Sequence, residues 1–242
     1  MSTGPFLTAI VSCVSCLQVA ELLKIADAFH VQYPPRPQTL EAVNARTKLL
    51  FICSPGNPTC KAIPLSEIEK VAASSQYGGL VVVDEAYVDF SDKGSAISLI
   101  NKYPNIVVLQ TLSKAFGLAG IRCGFAIASP DVIQLMNNVK APYNVNSLTS
   151  EVAINALNAI DVLEKNISTL LSQRALVAEH LAALDFIVEV FPSDSNFILF
   201  RMKSKAQEVY TLVRYDAKVS FRFGAHNLTF VSYCYRWRIM VS

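Results

Sequence analysis

Residues 111–125, TLSKAFGLAGIRCGF, decide how this chain is read. They follow the apolar run NIVVL and set one lysine, Lys114, among small residues and glycines, with Arg122 eight positions on. A short, continuous run rich in valine and isoleucine is what a strand buried on both faces of an α/β sheet requires. Working outward, KLLFICS, GLVVVDEAY, NIVVLQT and IRCGFAIAS read as four such strands. The turn SPGNPT and the helical PLSEIEKVAASS separate the first two.

In open α/β sheets, ligands sit at the carboxyl ends of the strands. KLLFICS runs into Asn57, held in the stiff SPGNPT turn; GLVVV runs into Asp84 and Glu85, with Tyr87 just beyond; NIVVLQT ends in Thr111, Ser113 and Lys114, with Arg122 behind Gly117 and Gly120. Taken singly, each has an ordinary explanation. A lysine after a strand is usually solvated, an aspartate there often starts a helix, and Glu85 reads as a surface or structural carboxylate.

Together they suit one cofactor, pyridoxal phosphate. Its aldehyde needs an amine for a Schiff base, which Lys114 provides, and its ring nitrogen needs a carboxylate, which Asp84 provides. The phenolic oxygen needs donors, available from Asn57 and Tyr87. The phosphate needs hydroxyls and a cation, available from Thr111, Ser113 and Arg122, arginine being suited to bidentate contact. Small residues around Lys114 let the backbone approach closely. A buried strand would deliver that amine to a desolvated pocket.

The bulk composition allows a sizeable core. The chain has 242 residues, 52% of them hydrophobic and 17% charged, enough apolar material for one large domain or a domain plus a smaller one. The net charge of +2 is scattered, which argues against a nucleic-acid partner. The first twenty residues carry no charged side chain, but they lack a basic leader and polar residues interrupt them, so a core element is expected rather than a signal peptide or membrane span. The six cysteines read as free thiols in a reducing compartment; Cys13 and Cys16 have metal-ligand spacing, but no second pair completes a site, so no metal is expected. No G-x-G-x-x-G follows the first strand, which sets a dehydrogenase aside.

Residues 17–29 have helical spacing, YPPRPQ (33–38) is loop, and TLEAVNA is a short helix. Beyond residue 131 the texture turns helical through DVIQLMNNV, SLTSEVAINALNAI and DVLEKNISTLLSQRALVAEHLAAL, the last with glutamine, arginine, glutamate and histidine on an outer face. FIVEVFPSDSNFILFRMKS reads as two strands around a turn. The expected division is a large cofactor-binding domain over residues 1–147 and a small α+β domain over 148–242.

TLSKAFGLAG resembles the lysine signature of class-II aminotransferases within the fold-type-I pyridoxal-phosphate enzymes. With SPGNPT, VVVDEAYVDFS, APYNVNSLTSEVA and SDSNFILFR in this order, the chain looks like the histidinol-phosphate aminotransferases over about residues 46–202. The resemblance implies a mostly parallel sheet, incomplete in its N-terminal part, followed by a smaller α+β C-terminal domain. It implies exchange of an amino group between L-histidinol phosphate and 2-oxoglutarate, giving imidazole acetol phosphate and glutamate in histidine biosynthesis, by a cytoplasmic homodimer with residues shared across its interface. By the same likeness, Lys114 is the cofactor-bearing lysine and general base, Asp84 the ring-nitrogen partner, Asn57 and Tyr87 the ring-oxygen partners, and Ser113 and Arg122 phosphate ligands. Arg238 and Arg222 are the substrate-binding arginines. The chain departs from the family in three ways, one being RIMVS (238–242) where the family has R-I-T/S-V-G. Only about fifty residues precede the NPT turn and hold neither the family's glycine-opened helix nor its ring-stacking aromatic. The turn reads NPTC where the family has NPTG, so Cys60 falls where glycine eases strain. Another transaminase, an amino-acid-phosphate decarboxylase and a non-catalytic fragment stay open as alternatives.

Overall fold

The computed structural model describes residues 7–12, 28–31, 47–74, 78–206, 208–209, 220–223 and 230–234, the strands at 7–12, 28–31, 220–223 and 230–234 by their backbone pairing. Six strands form the first sheet: β1 (Leu7–Ser12), β2 (Ala28–Val31), β3 (Leu49–Cys53), β4 (Leu80–Asp84), β5 (Ile106–Thr111) and β6 (Cys123–Ala128), in the order β1-β6-β5-β4-β3-β2. The pairs β2–β3, β3–β4 and β4–β5 are parallel. β6 runs antiparallel to both β5 and β1, so the sheet is mixed. The segment between β5 and β6 holds only a single 3-10 turn, Ala119–Ile121, too little for the crossover that a parallel return needs.

Alternation along the strands explains why they are apolar throughout. Leu50, Ile52, Val81, Val83, Ile106 and Val108 point to one face, where helix α1 (Leu65–Ala72) adds Ile68 and Val71. Phe51, Val82 and Val107 point to the other, where helix α2 (Pro130–Val139) adds Ile133. Successive side chains in a strand face opposite ways, so covering both faces leaves no position for a polar residue until the strand ends. Pro130 opens α2 at a position where a missing N–H costs nothing.

Helix α3 (Ser147–Leu157) is capped by Asn146, whose side chain accepts the Thr149 amide at 2.8 Å. Its Ala153 packs with Leu112 and Cys123, beside the Lys114 loop. Helix α4 (Ile160–Ala182) is amphipathic, with the half-buried stripe Leu163, Ile167, Leu170, Leu171, Val177 and Leu181. It covers a second, antiparallel sheet of β7 (Ile187–Val190), β8 (Phe197–Met202), β9 (Ser220–Phe223) and β10 (Phe230–Cys234), ordered β7-β8-β10-β9.

Two sequence expectations change. Helical spacing predicts a helix through Phe29, but Ala28–Val31 pairs in parallel with Leu49–Ile52; ladder hydrogen bonds at a sheet edge outweigh local helical preference there. The preceding residues 17–27, YPPRPQ, TLEAVNA and the Cys13–Cys16 pair lie outside the described residues. The arginine of α4, Arg174, is not on an outer face: its Nη1 donates to the Ser195 carbonyl at 2.6 Å and to that of Phe90 at 3.5 Å, drawing the guanidinium inward.

Candidate active site

The carboxyl ends of β3, β4 and β5 are stitched together by backbone. The Ser54 amide donates to the Asp84 carbonyl at 2.9 Å, and the Glu85 amide to the Leu109 carbonyl at 2.8 Å. Parallel register therefore carries the polar residues that follow each strand to one rim of the sheet.

Asn57, Tyr87 and Lys114 meet there. Asn57 Nδ2 donates to the Tyr87 hydroxyl at 3.2 Å. Lys114 Nζ lies 5.0 Å from the centroid of the Tyr87 ring, within cation–π reach. The ring itself is buried, with Phe197 of β8 edge-on at 5.2 Å and 73°. A cluster of Cys60, Tyr87, Phe90, Ala115, Phe197 and Leu199 floors the site and joins the two sheets. Asn57 stays exposed and Lys114 half-buried above it.

Asp84 is half-buried at the end of β4, its Oδ1 accepting the Ala86 amide at 3.1 Å. Thr111 and Ser113 present hydroxyls 2.9 Å apart, and Thr111 Oγ1 also accepts the Ser113 amide at 3.1 Å. Arg122 is exposed in the left-handed region at φ 54°, its Nη1 donating to the Ala119 carbonyl at 3.1 Å. The Leu112 amide reaches the Cys123 carbonyl at 3.2 Å, so the backbone beside Arg122 adjoins the end of β5. Gly124 permits that approach: a Cβ there would stand 2.8 Å from the Gln110 carbonyl oxygen. Arg222 lies on β9 of the second sheet, opposite Ser232, and Arg238 lies outside the described residues.

The NPT turn is held by partners distant in sequence. The Cys60 amide closes it on the Gly56 carbonyl at 2.8 Å, with Cys60 in the left-handed region at φ 64°, the conformation that favours glycine. Asp194, in the β7–β8 connection, accepts the Ala62 amide on Oδ2 at 2.9 Å and donates its own amide to the Cys60 carbonyl at 2.8 Å. Burial pushes the Cys60 thiol up to about 11, against opposing contacts from Ser193 and Ser195, so this cysteine is an inert packing group near neutral pH.

Sequence reasoning did not single out Phe197, Asp194 or Arg174, because their roles depend on contacts spanning much of the chain. Glu85, which the sequence reads as a surface or structural carboxylate, is 2% exposed, so of the two it is the structural one. Its clue was visible: GLVVVDEAY places Glu85 on the face that Val81 and Val83 bury.

The donor chemistry fits pyridoxal phosphate: a lysine amine, a strand-end carboxylate, an amide and a phenol in contact, two adjoining hydroxyls, and an exposed guanidinium on the segment whose backbone adjoins the end of β5. Comparison with known proteins points the same way. Over 162 residues the chain is 44% identical to a histidinol-phosphate aminotransferase of Cytophaga hutchinsonii, covering 67% of this chain and 46% of that one. The chain thus spans about half the length of such relatives. Among solved structures, a Sinorhizobium meliloti histidinol-phosphate aminotransferase in complex with pyridoxal-5'-phosphate matches with a TM-score of 0.69 and 24% identity, over 77% of this chain and 52% of that one. A Porphyromonas gingivalis L-threonine-O-3-phosphate decarboxylase matches with a TM-score of 0.72 and 21% identity, over 96% and 79%. Both structures share the fold. Residues 20–223 match the family described as aminotransferase class I and II, and the chain belongs to that family.

Proposed function

We propose that this chain carries the cofactor site of a pyridoxal-phosphate-dependent aminotransferase that exchanges the amino group of L-histidinol phosphate with 2-oxoglutarate. The observation that carries this reading is the meeting of Asn57, Tyr87 and Lys114 at 3.2 and 5.0 Å on one sheet rim, in a chain 44% identical to a histidinol-phosphate aminotransferase. When bound, pyridoxal phosphate supplies an electron sink for the pair left behind as a substrate Cα–H bond breaks.

The chain's own residues would divide the remaining work. Lys114 Nζ is the amine that holds the cofactor and, once displaced by substrate, takes the proton from the substrate Cα. Asp84 is the carboxylate for the ring nitrogen. Asn57 and Tyr87, already hydrogen-bonded to each other, are the partners of the ring oxygen. Thr111, Ser113 and Arg122 are the phosphate ligands, the guanidinium contributing its planar fork. Arg222 and Arg238 are the arginines for the substrate's anionic group.

We place the division between a large and a small domain beyond Leu157, not at the residue 148 that the sequence suggests. The second sheet supports a separate C-terminal unit, whereas Ala153 of α3 packs with Cys123 of the first sheet and Leu112 at the end of β5, which keeps α3 with the large domain. A cytoplasmic homodimer fits the family, and Val139, Tyr143 and Leu148, exposed around the α2–α3 connection, are suitable interface residues. Among the described residues no helix is long and apolar enough to cross a membrane.

The fold match to the threonine-phosphate decarboxylase over 96% of this chain favours a second reading, an amino-acid-phosphate decarboxylase. Titrating pyridoxal phosphate into the wild type and Lys114→Ala tests the site: the wild type is expected to develop a saturable visible band that the variant lacks. Identical spectra would end the lysine assignment, and no saturable binding would leave a non-catalytic fragment. Glutamate formation from 2-oxoglutarate and histidinol phosphate supports the first reading; carbon dioxide release from an amino-acid phosphate supports the second.

A further inference from the structure

Glu85 is a buried carboxylate that the proposed chemistry does not use. Its Oε1 accepts the Ala96 amide at 2.6 Å, and its Oε2 accepts from the Ser95 hydroxyl at 2.6 Å and from Gln110 Nε2 at 2.9 Å. All three donors are neutral, and among the described residues no cation pairs with it. Burial pushes its carboxyl above the ordinary range. A packing role alone would be served by an apolar residue, since a buried carboxylate carries a desolvation penalty.

Strand alternation shows what the carboxylate joins. On β4, Val81 and Val83 face α1 and Val82 faces α2; Asp84 therefore follows Val82, and Glu85 follows Val83. On β5, Ile106 and Val108 face α1, so Gln110 shares the side of Glu85, while Thr111 shares the side of Asp84. Glu85 thus grips β5 at two successive residues from behind the site. Its amide donates to the Leu109 carbonyl at 2.8 Å and its carboxylate accepts from the Gln110 side-chain Nε2. Ser95 and Ala96, at the start of the 3-10 turn Ala96–Leu99, anchor the brace from outside the sheet.

We propose that Glu85 is a positioning residue. From the sheet face opposite Asp84, it fixes the end of β4 that carries Asp84 against the end of β5 that carries Thr111, Ser113 and Lys114, and so holds the lysine loop in its binding geometry. The consequence for cofactor affinity rests on the pyridoxal-phosphate reading; the consequence for the loop does not.

The test compares the full chain as wild type, Glu85→Ala, Glu85→Gln and Gln110→Met. Two quantities are read: the pyridoxal phosphate dissociation constant, and amide hydrogen exchange at Gly117 and Leu118 relative to Ile198 and Phe200 in β8. Gly117 and Leu118 close the lysine loop on the Lys114 and Leu112 carbonyls, each at 3.0 Å. Glu85→Ala is expected to raise the exchange ratio and the dissociation constant at least tenfold. Glu85→Gln is expected to restore both to within about threefold of wild type, because a turned Gln110 amide can accept from the new side-chain NH2 while the Ala96 amide keeps its acceptor. Gln110→Met cuts only the link to β5 and is expected to reproduce the loop effect; it decides the matter if Glu85→Ala does not fold. An exchange ratio unchanged in Glu85→Ala and Gln110→Met, or a Glu85→Gln variant as impaired as Glu85→Ala, overturns the proposal. If the wild type binds no pyridoxal phosphate, the cofactor reading falls, and the exchange ratio alone decides the brace.

Discussion

Asp194 is the residue whose removal is most informative about how the Asn57 turn is held. It accepts the Ala62 amide at 2.9 Å and lies 3.7 Å from Lys61 Nζ, with the aspartate side chain 15% and the lysine side chain 36% exposed. A hydrogen bond to a charged group contributes roughly 1.5–3 kcal/mol when its partner would otherwise be stranded. An ion pair this long and this exposed contributes about 0–1 kcal/mol. Asp194→Ala should therefore cost about 2–3 kcal/mol, nearly all of it from the orphaned Ala62 amide. Asp194→Asn keeps an acceptor and should cost about 1 kcal/mol, and Lys61→Met no more than about 1 kcal/mol. At roughly 2–4 °C per kcal/mol for a chain of this size, Asp194→Ala lowers Tm by about 4–12 °C. Urea unfolding followed by circular dichroism at pH 7, with the m-value unchanged, measures the series. If Lys61→Met matches Asp194→Ala, the ion pair and not the amide contact holds the turn, and the reasoning fails; an asparagine as harmful as alanine would refute it equally.

Two further outcomes follow from the same geometry. Burial raises the Glu85 and Asp89 carboxyls above their ordinary values, so each holds its proton in the folded chain at a pH where the unfolded chain has released it. Their stabilising contribution is complete below about pH 4, the unfolded range, and is lost as pH rises through the folded values. The urea midpoint of Glu85→Gln and of Asp89→Asn should thus fall less steeply from pH 4 to 8 than that of wild type, and parallel profiles would count against it. Gly124→Ala drives a Cβ to 2.8 Å from the Gln110 carbonyl, a backbone atom that cannot swing aside. It should cost about 1–3 kcal/mol and weaken pyridoxal phosphate binding, since the strain falls between Gln110 and Thr111; a fully stable variant with wild-type affinity would show that β5 and β6 are less closely set.

The Cys60 position shows how a local sequence difference is accommodated. Its left-handed backbone at φ 64° is one that glycine adopts without cost, and an L-residue there is destabilising by about 1–2 kcal/mol. The fully buried side chain packs in the cluster with Tyr87, Phe197 and Leu199, so the strain is set against apolar burial in the floor of the site. The turn keeps its closure on Gly56 and its contacts to Asp194, and Asn57 still reaches Tyr87.

Much of the candidate site was legible because its residues are short-range consequences of the strands. Each polar group comes within a few residues of a buried apolar run, and a buried strand must end before a polar side chain can be tolerated; NIVVLQT leads to Ser113 and Lys114, and GLVVV to Asp84 and Tyr87, for that reason. The parallel pairs β3–β4 and β4–β5 join three of those runs; β2 does not follow from them, since Ala28 and Phe29 carry helical spacing. The helices α2, α3 and α4 follow from apolar spacing, and Asn146 and Pro130 mark where two of them start.

What the amino-acid order determined by itself was thus the local kit: the buried strands β3 to β6, the helices that cover them, and which reactive groups emerge at strand ends; the edge strand β2 was not part of it. Only the tertiary structure decided that Asn57 donates to Tyr87 across thirty residues, that Phe197 braces that ring, that Asp194 pins a turn 132 residues before it, and that Arg174 turns inward. It also decided the antiparallel return of β6 and the burial of Glu85 behind the site. Periodicity reports which face of its own element a residue occupies. Which distant group meets that face is set by packing the elements together, and no local pattern encodes it.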